Sequence, residues 1–424
     1  MDTITPFGPP GTAAGLPAGY EWPADATQIP DWIYTDPQVT ALEQERIFLG
    51  RSWNFVGLEC EVPEPGDYIR SYVGAIPAVV TRDKDGAIHV FENRCSHRGA
   101  EFCRSYRGKG EQFICPYHNW TFSNQGKLVA VPFRRGVKGK GGVPADFRMA
   151  DHDLRKFYVG IHNGVIFASA CPDMESVEEY LGPEITAAFN TIFPADVKMK
   201  LLGIHRNTLP GNWKLYQENL KDPYHATLLH TYLTTFGLFV TSNESNIVVD
   251  RTGRHCALMS RRPQGKVEVA KEEQADMQAF KETMKLKDQR VMDFFREVDS
   301  PWTGMAMTIW PNLSALRQQN ILNTRLIVPR GPNELMMIWA VFGRADDDEA
   351  MVKHRLRQNN IFGPGGFLGI EDNEALKFVQ DGLVRSVPRV GLAVLGDDAE
   401  TSDTIITERA IRGMYRFYRQ QMGF

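Results

Sequence analysis

The sequence predicts an α+β chain in two parts: a small all-β domain, then a larger domain in which a long antiparallel sheet wraps against helices. Three observations lead there. From Trp53 to about 169, short runs rich in β-branched and aromatic residues alternate with Pro-Gly, Asp-Gly and Asn-Gly turn signals. From about Met174 onward, helical and strand patterns mix. The first part carries two tight pairs of metal-ligand residues, Cys95-x-His97 and Cys115-x-x-His118, with seventeen residues between His97 and Cys115.

A chain of 424 residues is long enough for two or three domains and a sizeable core. The expected division is an N-terminal arm and helix over 1–52 packing with the larger domain, the small β domain over 53–170, and the larger domain over 171–424. Hydrophobic residues make up 42% and charged residues 24%, ordinary values for a globular protein. A net charge of −4 gives no reason to expect nucleic acid or an anionic membrane as partner. No apolar run reaches the length of a membrane span. The first thirty residues, rich in Pro, Gly, Ala and Thr, lack the basic start and apolar run of a secretory signal and suggest an extended arm. A cytoplasmic protein is the expectation. Cys60, Cys95, Cys103, Cys115, Cys171 and Cys256 are too scattered for a disulfide framework, and Cys103 is expected as a small buried or half-buried thiol.

In chain order, Asp36 should cap a helix that has Pro37 at its first position and ends at Gly50. The β domain follows, and between two of its strands lies a basic, glycine-rich loop at 133–147, best read as a solvated excursion. Short helices are expected at 176–180 and 183–189, a strand at 198–209, and a mostly helical segment at 211–239. Strands are expected at 245–250, 255–260, 305–310, 313–328 and 335–342, with a polar helix at 272–297. Helices at 347–362, 372–383 and 402–422 close the chain.

The two Cys/His pairs each offer a thiolate and an imidazole. Such a set suits a tetrahedral zinc or a [2Fe–2S] cluster with both imidazoles on one iron. Zinc fingers usually keep cysteines in one pair and histidines in the other, whereas here the types are split between the knuckles. The wording CSHRG followed by CPYHNW closely resembles the Rieske motif.

A second constellation lies downstream in ENLKDPYHATLLH, at 218–230. His225 and His230 are five apart, about 140° on an ideal helix, so they converge on one metal only if the turn is distorted. Asp222 before Pro223 has an ordinary reading as a helix start. Asp372 likewise reads as the cap of the helix that follows it.

Together the two constellations resemble the large (alpha) subunit of Rieske non-haem iron aromatic-ring-hydroxylating oxygenases. The nearest group is that of the salicylate 5-hydroxylases and the anthranilate, halobenzoate and terephthalate dioxygenases. The likeness covers nearly the whole chain, including GNWK at 211–214, FGPGGFLGIEDNEA at 362–375 and TERAIRGMYRFYRQQMG near the end. It implies a Rieske domain followed by a helix-grip catalytic domain. It implies a [2Fe–2S] cluster on Cys95, His97, Cys115 and His118, and a mononuclear Fe(2+) on His225, His230 and Asp372, with Glu371 and Glu374 as rivals for the carboxylate place.

By the same resemblance Asp222 bridges His225 to His118 of a neighbouring subunit, in a homotrimeric ring with a small β subunit (α3β3), and Asn219 is an iron-facing polar group. Electrons would come from NADH through a separate reductase or ferredoxin, since this chain has no G-x-G-x-x-G fingerprint. The substrates implied are O2 and a substituted benzoate, salicylate-, anthranilate- or halobenzoate-like, with a terephthalate-type acid as the alternative. Arg317 and Arg325, eight apart in what reads as one strand, would face the same way and bind its carboxylate, unless they are surface or interface arginines. A Rieske electron carrier without catalysis and a zinc-stabilised structural module are the readings from other classes.

Overall fold

The computed structural model describes residues 20–262, 271–276, 283–398 and 401–424. The N-terminal arm expected before residue 20 lies outside the described residues. The chain divides into two compact units, one over 44–177 and one over 20–43 with 178–424.

The first unit is built on a seven-stranded antiparallel sheet. Its strand order is Asn54–Leu58, Val165–Ser169, Lys156–His162, Ile88–Glu92, Ile76–Arg82, Asp67–Val73 and Arg107–Lys109. A three-stranded sheet, Gln112–Ile114, Thr121–Ser123 and Leu128–Ala130, carries the second Cys/His knuckle at its first turn. Side chains alternate across a strand, so neighbours feed different cores. Val80 and Val90 join one cluster with Val56, Ile69 and Ile166. Val79 and Phe91 join another, with Phe102, Phe113, Trp120, Phe122 and both knuckle cysteines. The basic loop at 133–147 is largely exposed, as a solvated excursion should be. Cys103 is buried, and burial pushes its thiol up to about 11.

The second unit holds an eight-stranded antiparallel sheet in the order Met199–Pro210, Glu334–Arg344, Ile321–Pro329, Leu313–Gln318, Gly304–Ile309, Cys256–Ser260, Ser245–Val249 and Thr401–Ser402. Its helices include Trp213–Asn219, Glu349–Phe362, Phe367–Arg385 and Arg409–Met422. Local chemistry explains several starts. The Asp36 carboxylate accepts from the backbone of Gln38 and Val39 ahead of Pro37–Glu43, and Asp348 accepts from Met351.

Four expectations are corrected. The strand expected at 313–328 is two strands joined at Gln319 and Asn320, where Gln319 takes a φ of 56° without any glycine to announce the turn. The polar helix expected at 272–297 is helical over Lys271–Asp276, but 283–297 is irregular apart from a single turn at Gln289–Met292. There the backbone of Phe295 is hydrogen-bonded in both directions to the Asn320 side chain, which holds it out of helix. The last-but-one helix begins at Phe367 rather than 372, which places Asp372 inside it. The last helix begins at Arg409 rather than 402, because Thr401 and Ser402 pair with Val248 and Ile247 as an edge strand.

The hairpin changes where the arginines point. Arg325 lies opposite Ser314, and Arg317 opposite Leu322. Cross-strand partners share a face and neighbours in a strand do not. Arg325 therefore shares a face with Ser314, Leu316 and Gln318, and Arg317 takes the other. The expectation that both face one way fails for this reason.

A buried ionic network ties the segment before residue 44 to the rest of the second unit. Glu43 accepts from Lys214 Nζ at 2.6 Å, Trp213 Nε1 at 2.8 Å and the Tyr418 hydroxyl at 2.7 Å. Lys214 and Glu43 are 0% and 1% exposed. Glu218, one turn further along the same helix as Lys214, accepts from the hydroxyls of Tyr34 and Tyr415. Burial pushes its carboxyl up to about 7 despite those two donors. Removing one member of a buried pair leaves the other charge uncompensated. Glu43→Ala should therefore destabilise the protein by about 3–5 kcal/mol in denaturant titration. A change below about 1 kcal/mol would show that the network contributes little.

Candidate functional site: two metal-binding constellations

In the first unit the two knuckles have the same backbone. The Cys95 amide donates to the Ala100 carbonyl, and the Cys95 carbonyl accepts from Gly99; Cys115 does the same with Trp120 and Asn119. Gly99 and Asn119 occupy equivalent left-handed positions, with φ of 75° and 56°. Glycine and asparagine are the residues that adopt this region most readily. The consequence is a sorting by type. Both thiols are buried, at 3% and 2% exposure, while His97 is exposed and His118 partly so. The two imidazoles lie with ring centroids 4.7 Å apart, and His97 stacks on Trp120. Burial pushes the Cys95 thiol up, with Cys115 beside it adding to the rise.

A single tetrahedral ion needs its ligand atoms to converge on one point. Among the described residues, only His225, His230 and Asp372 bring three such atoms within 4.8 Å of one another. The Cys95, His97, Cys115 and His118 set does not, which suits two irons with thiolates on one and imidazoles on the other.

In the second unit the helix Trp213–Asn219 ends just before Asp222, and a one-turn helix, His225–Leu228, follows. His230 sits beyond its end with φ −88° and ψ 58°. That break resolves the five-residue spacing: the chain leaves the helix before His230, and the two rings turn toward each other at 5.1 Å. Asp222 serves two ends. Its Oδ1 accepts from the backbone of Tyr224 at 2.8 Å, the capping role, while its Oδ2 lies 3.3 Å from His225 Nδ1, an ion-pair contact rather than a hydrogen bond.

Asp372 does not cap its helix. It falls on the inward face with Gly369, Leu376 and Gln380, the spacing of one helical stripe. Gln380 fixes that stripe by accepting from the Asn212 amide at 2.8 Å and donating to Asn333 at 2.7 Å. Gly369 permits a close approach, since a Cβ there would stand 2.6 Å from the Gly363 carbonyl oxygen. Asp372 is 2% exposed. Its Oδ1 lies 3.0 Å from His230 Nε2, 3.6 Å from His225 Nε2 and 3.1 Å from Asn219 Nδ2.

The rival carboxylates separate cleanly. Glu374 is turned away, 3.6 Å from Lys377. Glu371 Oε2 meets His230 Nδ1 at 2.7 Å, on the far side of the ring from Asp372. Both imidazoles thus have Nδ1 against a carboxylate and Nε2 toward a common point, the arrangement that orients metal-binding histidines. The sequence signal for Glu371 was its place beside Asp372, but which of three acids did what depended on the helix register.

Burial opposes charge on these imidazoles, yet Asp222 and Asp372 outweigh it and push His225 up to about 10. His230 is also raised. Burial would lift Asp372, and the two imidazoles instead hold it well below the usual carboxylate range.

Beside the three groups lies a cavity of about 140 Å3. Its walls are mostly apolar, including Leu233, Phe239, Leu258, Ala306 and Leu316, with Arg325 and Gln318 from the sheet. Arg325 is 1% exposed. Its guanidinium donates to the Tyr216 hydroxyl at 2.9 Å and lies over Trp339 at 4.1 Å, while its Nε has no partner. Arg317, on the opposite face, donates to the Trp302 carbonyl at 3.0 Å and does not line this cavity. The expected pairing of Arg317 with substrate is thereby corrected: the turn at Gln319–Asn320 reverses its face.

Two imidazoles and a carboxylate beside a cavity are the donor types of the facial set found in mononuclear non-haem iron proteins. The similarities agree. Residues 52–140 match the Rieske [2Fe-2S] domain, and residues 196–423 match the catalytic domain of the ring-hydroxylating alpha subunits. The chain is 42% identical to the large oxygenase component of a salicylate 5-hydroxylase from Ralstonia sp., over 96% of this chain and 97% of that one. It is 38% identical to the anthranilate 1,2-dioxygenase large subunit of Burkholderia cepacia, over 94% of each. It is 37% identical to a terephthalate 1,2-dioxygenase terminal oxygenase alpha subunit from Comamonas sp., over 94% and 96%. The fold matches naphthalene 1,2-dioxygenase from Rhodococcus sp. with a TM-score of 0.77 at 24% identity, over 93% and 94% of the two chains.

The chain belongs to the ring-hydroxylating oxygenase alpha subunits that carry a Rieske [2Fe–2S] domain, and it is an oxidoreductase. The cofactors of that family are the [2Fe–2S] cluster and a mononuclear iron, with NADH acting through a separate reductase. Among the described residues no helix is long and apolar enough to cross a membrane.

A metal bound by these three groups would have to displace a proton from His225, whose affinity for it Asp222 and Asp372 raise. Iron(II) added to metal-free protein at neutral pH should therefore release protons, measured by titration calorimetry in buffers of different ionisation enthalpy. Iron affinity should fall as pH falls below about 10. The sign for stability is the reverse: because the folded value is raised from 6.5, the His225 contribution in metal-free protein is full below about 6.5 and lost as pH rises through about 10. Buffer-independent heats would contradict the assignment.

Proposed function

We propose that this chain is the terminal oxygenase large subunit of a multicomponent system that hydroxylates a substituted benzoate, using O2 and electrons from NADH passed on by a reductase or ferredoxin. The observation that carries the substrate class is Arg325. A guanidinium at 1% exposure, with no carboxylate within ion-pair distance among the described residues, is costly to bury. It lines a mostly apolar cavity together with His225, His230 and Asp372. An aromatic carboxylate supplies both the counter-charge and the apolar body the cavity asks for. A volume of about 140 Å3 suits one ring, close to the size of engineered cavities that take up benzene. Salicylate, anthranilate and terephthalate, the acids named for the relatives, are all single-ring carboxylates.

In this reading His225, His230 and Asp372 hold the iron, which supplies dioxygen activation when bound. Cys95, His97, Cys115 and His118 hold the cluster. Glu371 and Asp222 keep the two imidazoles turned with Nε2 inward. Asn219 restrains Asp372 by donating to its Oδ1. Arg325, steadied by Tyr216 and Trp339, fixes the acid so that one edge of its ring meets the reactive side of the site, and the surrounding leucines exclude water. Asp222 is also partly exposed, at 23%. That supports its joining His225 to His118 of a neighbouring subunit in a trimeric ring, with or without a small β subunit.

His225→Ala should abolish product formation and lower iron by one per chain, while the visible spectrum of the Rieske cluster stays unchanged. A variant that still turns over would sink the iron assignment. Arg325→Met should weaken benzoate binding about a hundredfold. Unchanged affinity would remove the carboxylate reading and leave the oxygenase reading standing.

A further inference from the structure

The cavity floor is the antiparallel sheet, and its register arranges the floor in rungs. One rung runs Thr308, Ser314, Arg325, Trp339. The next on the same face runs Ile247, Leu258, Ala306, Leu316. The third runs Ser245, Ser260, Gly304, Gln318. The floor is therefore cationic at one end, apolar in the middle, and polar but uncharged at the other. Arg325, Leu258, Ala306, Leu316, Ser260, Gly304 and Gln318 all line the cavity.

The polar end has a particular geometry. A Cβ on Gly304 would stand 2.5 Å from Gln318 Oε1 and 2.8 Å from Ser260 Oγ. The two polar groups therefore lean over the glycine from opposite sides and fill the space a side chain would take. Among the described residues no hydrogen bond engages the side chain of either Ser260 or Gln318. Ser245 is different, since its hydroxyl donates to the Asn243 carbonyl at 3.1 Å. A carboxamide and a hydroxyl facing a partly apolar cavity without partners are groups a ligand can satisfy. Gln318 stands four residues along its strand from Ser314, the partner of Arg325, which is about 13 Å of backbone. With both side chains leaning inward, that span holds one ring.

We propose that Ser260 and Gln318, meeting over Gly304, form a neutral hydrogen-bonding subsite that selects a hydroxyl or amino substituent on the ring of the acid, at the end away from its carboxylate. This rests on the reading of Arg325 as the carboxylate anchor. Substituents meta or para to the carboxylate reach the subsite; an ortho group stays beside Arg325. A second carboxylate at the far end finds no cation there, because Arg325 is the sole lysine or arginine among the cavity-lining residues described. Unsubstituted rings leave both polar groups unsatisfied, and that cost is what gives a hydrogen-bonding site its selectivity.

The test uses the intact, iron-loaded protein and the dissociation constants of benzoate, 3-hydroxybenzoate, 4-hydroxybenzoate and terephthalate. Wild type should bind at least one of the two hydroxybenzoates about tenfold tighter than benzoate, and terephthalate no tighter than benzoate. Gln318→Leu should erase most of that preference. Gly304→Ala should do the same by pushing the carboxamide aside while leaving both polar residues in the sequence. Equal binding of benzoate and both hydroxybenzoates by wild type, or a preference that survives both variants, overturns the subsite. Arg325→Met separates the two ideas. If it weakens all the acids alike, the anchor stands whatever Gln318→Leu does. If it weakens none while Gln318→Leu still erases the preference, the anchor fails and the subsite remains. Binding of none of the acids overturns both.

Discussion

One carboxylate oxygen organises the second unit. Asp372 Oδ1 is within 3.6 Å of two imidazole nitrogens and one carboxamide nitrogen, at a site 2% exposed. A buried anion is tolerable only where cations or donors converge on it. Two neighbouring stretches, the end of the Trp213–Asn219 helix and the broken turn at His225–His230, provide them, and both must meet the Phe367–Arg385 helix, about 150 residues further along the chain. The same two imidazoles, whose affinity for a proton Asp372 raises, give that anion its counter-charge.

The donors around that oxygen depend in turn on packing outside the site. Lys214 and Glu218 lie on the helix that ends at Asn219, and both are anchored by groups from the two ends of the second unit, Glu43 and Tyr34 on one side, Tyr415 and Tyr418 on the other. Charge and hydroxyl contacts, more directional than apolar packing, set the rotation of this helix. A small rotation would swing the Asn219 carboxamide off Asp372. The N-terminal helix and the C-terminal helix, neither of which lines the cavity, are in this way part of what positions it.

Much of this was legible in the sequence because it was written in local chemistry. The Cys95–His97 and Cys115–His118 knuckles are short loops whose residue types announce them, and Asp36 and Pro37 mark a helix start by the same local rules. Asp372 could be singled out as an acid by resemblance, but its separation from Glu371 and Glu374 depends on where the helix begins. That start is set by Gly363, Gly366 and Gly369 packing the preceding loop against it, contacts with no periodic signal. Arg317 and Arg325 were misread together for a related reason. The turn between them has Gln319 in a left-handed conformation where a glycine or asparagine would have signalled it. Hydrogen bonds at that turn, from the Asn320 amide to Gln358 Oε1 and between Asn320 and Phe295, hold it from segments distant in sequence.

That turn has an evolutionary consequence. In a strand pair, sliding one partner by a single residue exchanges the two faces wholesale. The Leu313–Gln318 strand keeps Arg317 on its outer face, behind the floor on which a substrate would rest. Loss or gain of one residue at the Gln319–Asn320 corner would bring this second guanidinium inward in one step and carry Gln318 outward. A second guanidinium thus lies one inserted or deleted residue away from the cavity side of the sheet, a change reached by slipping a hairpin's register rather than by substituting a residue that lines the cavity.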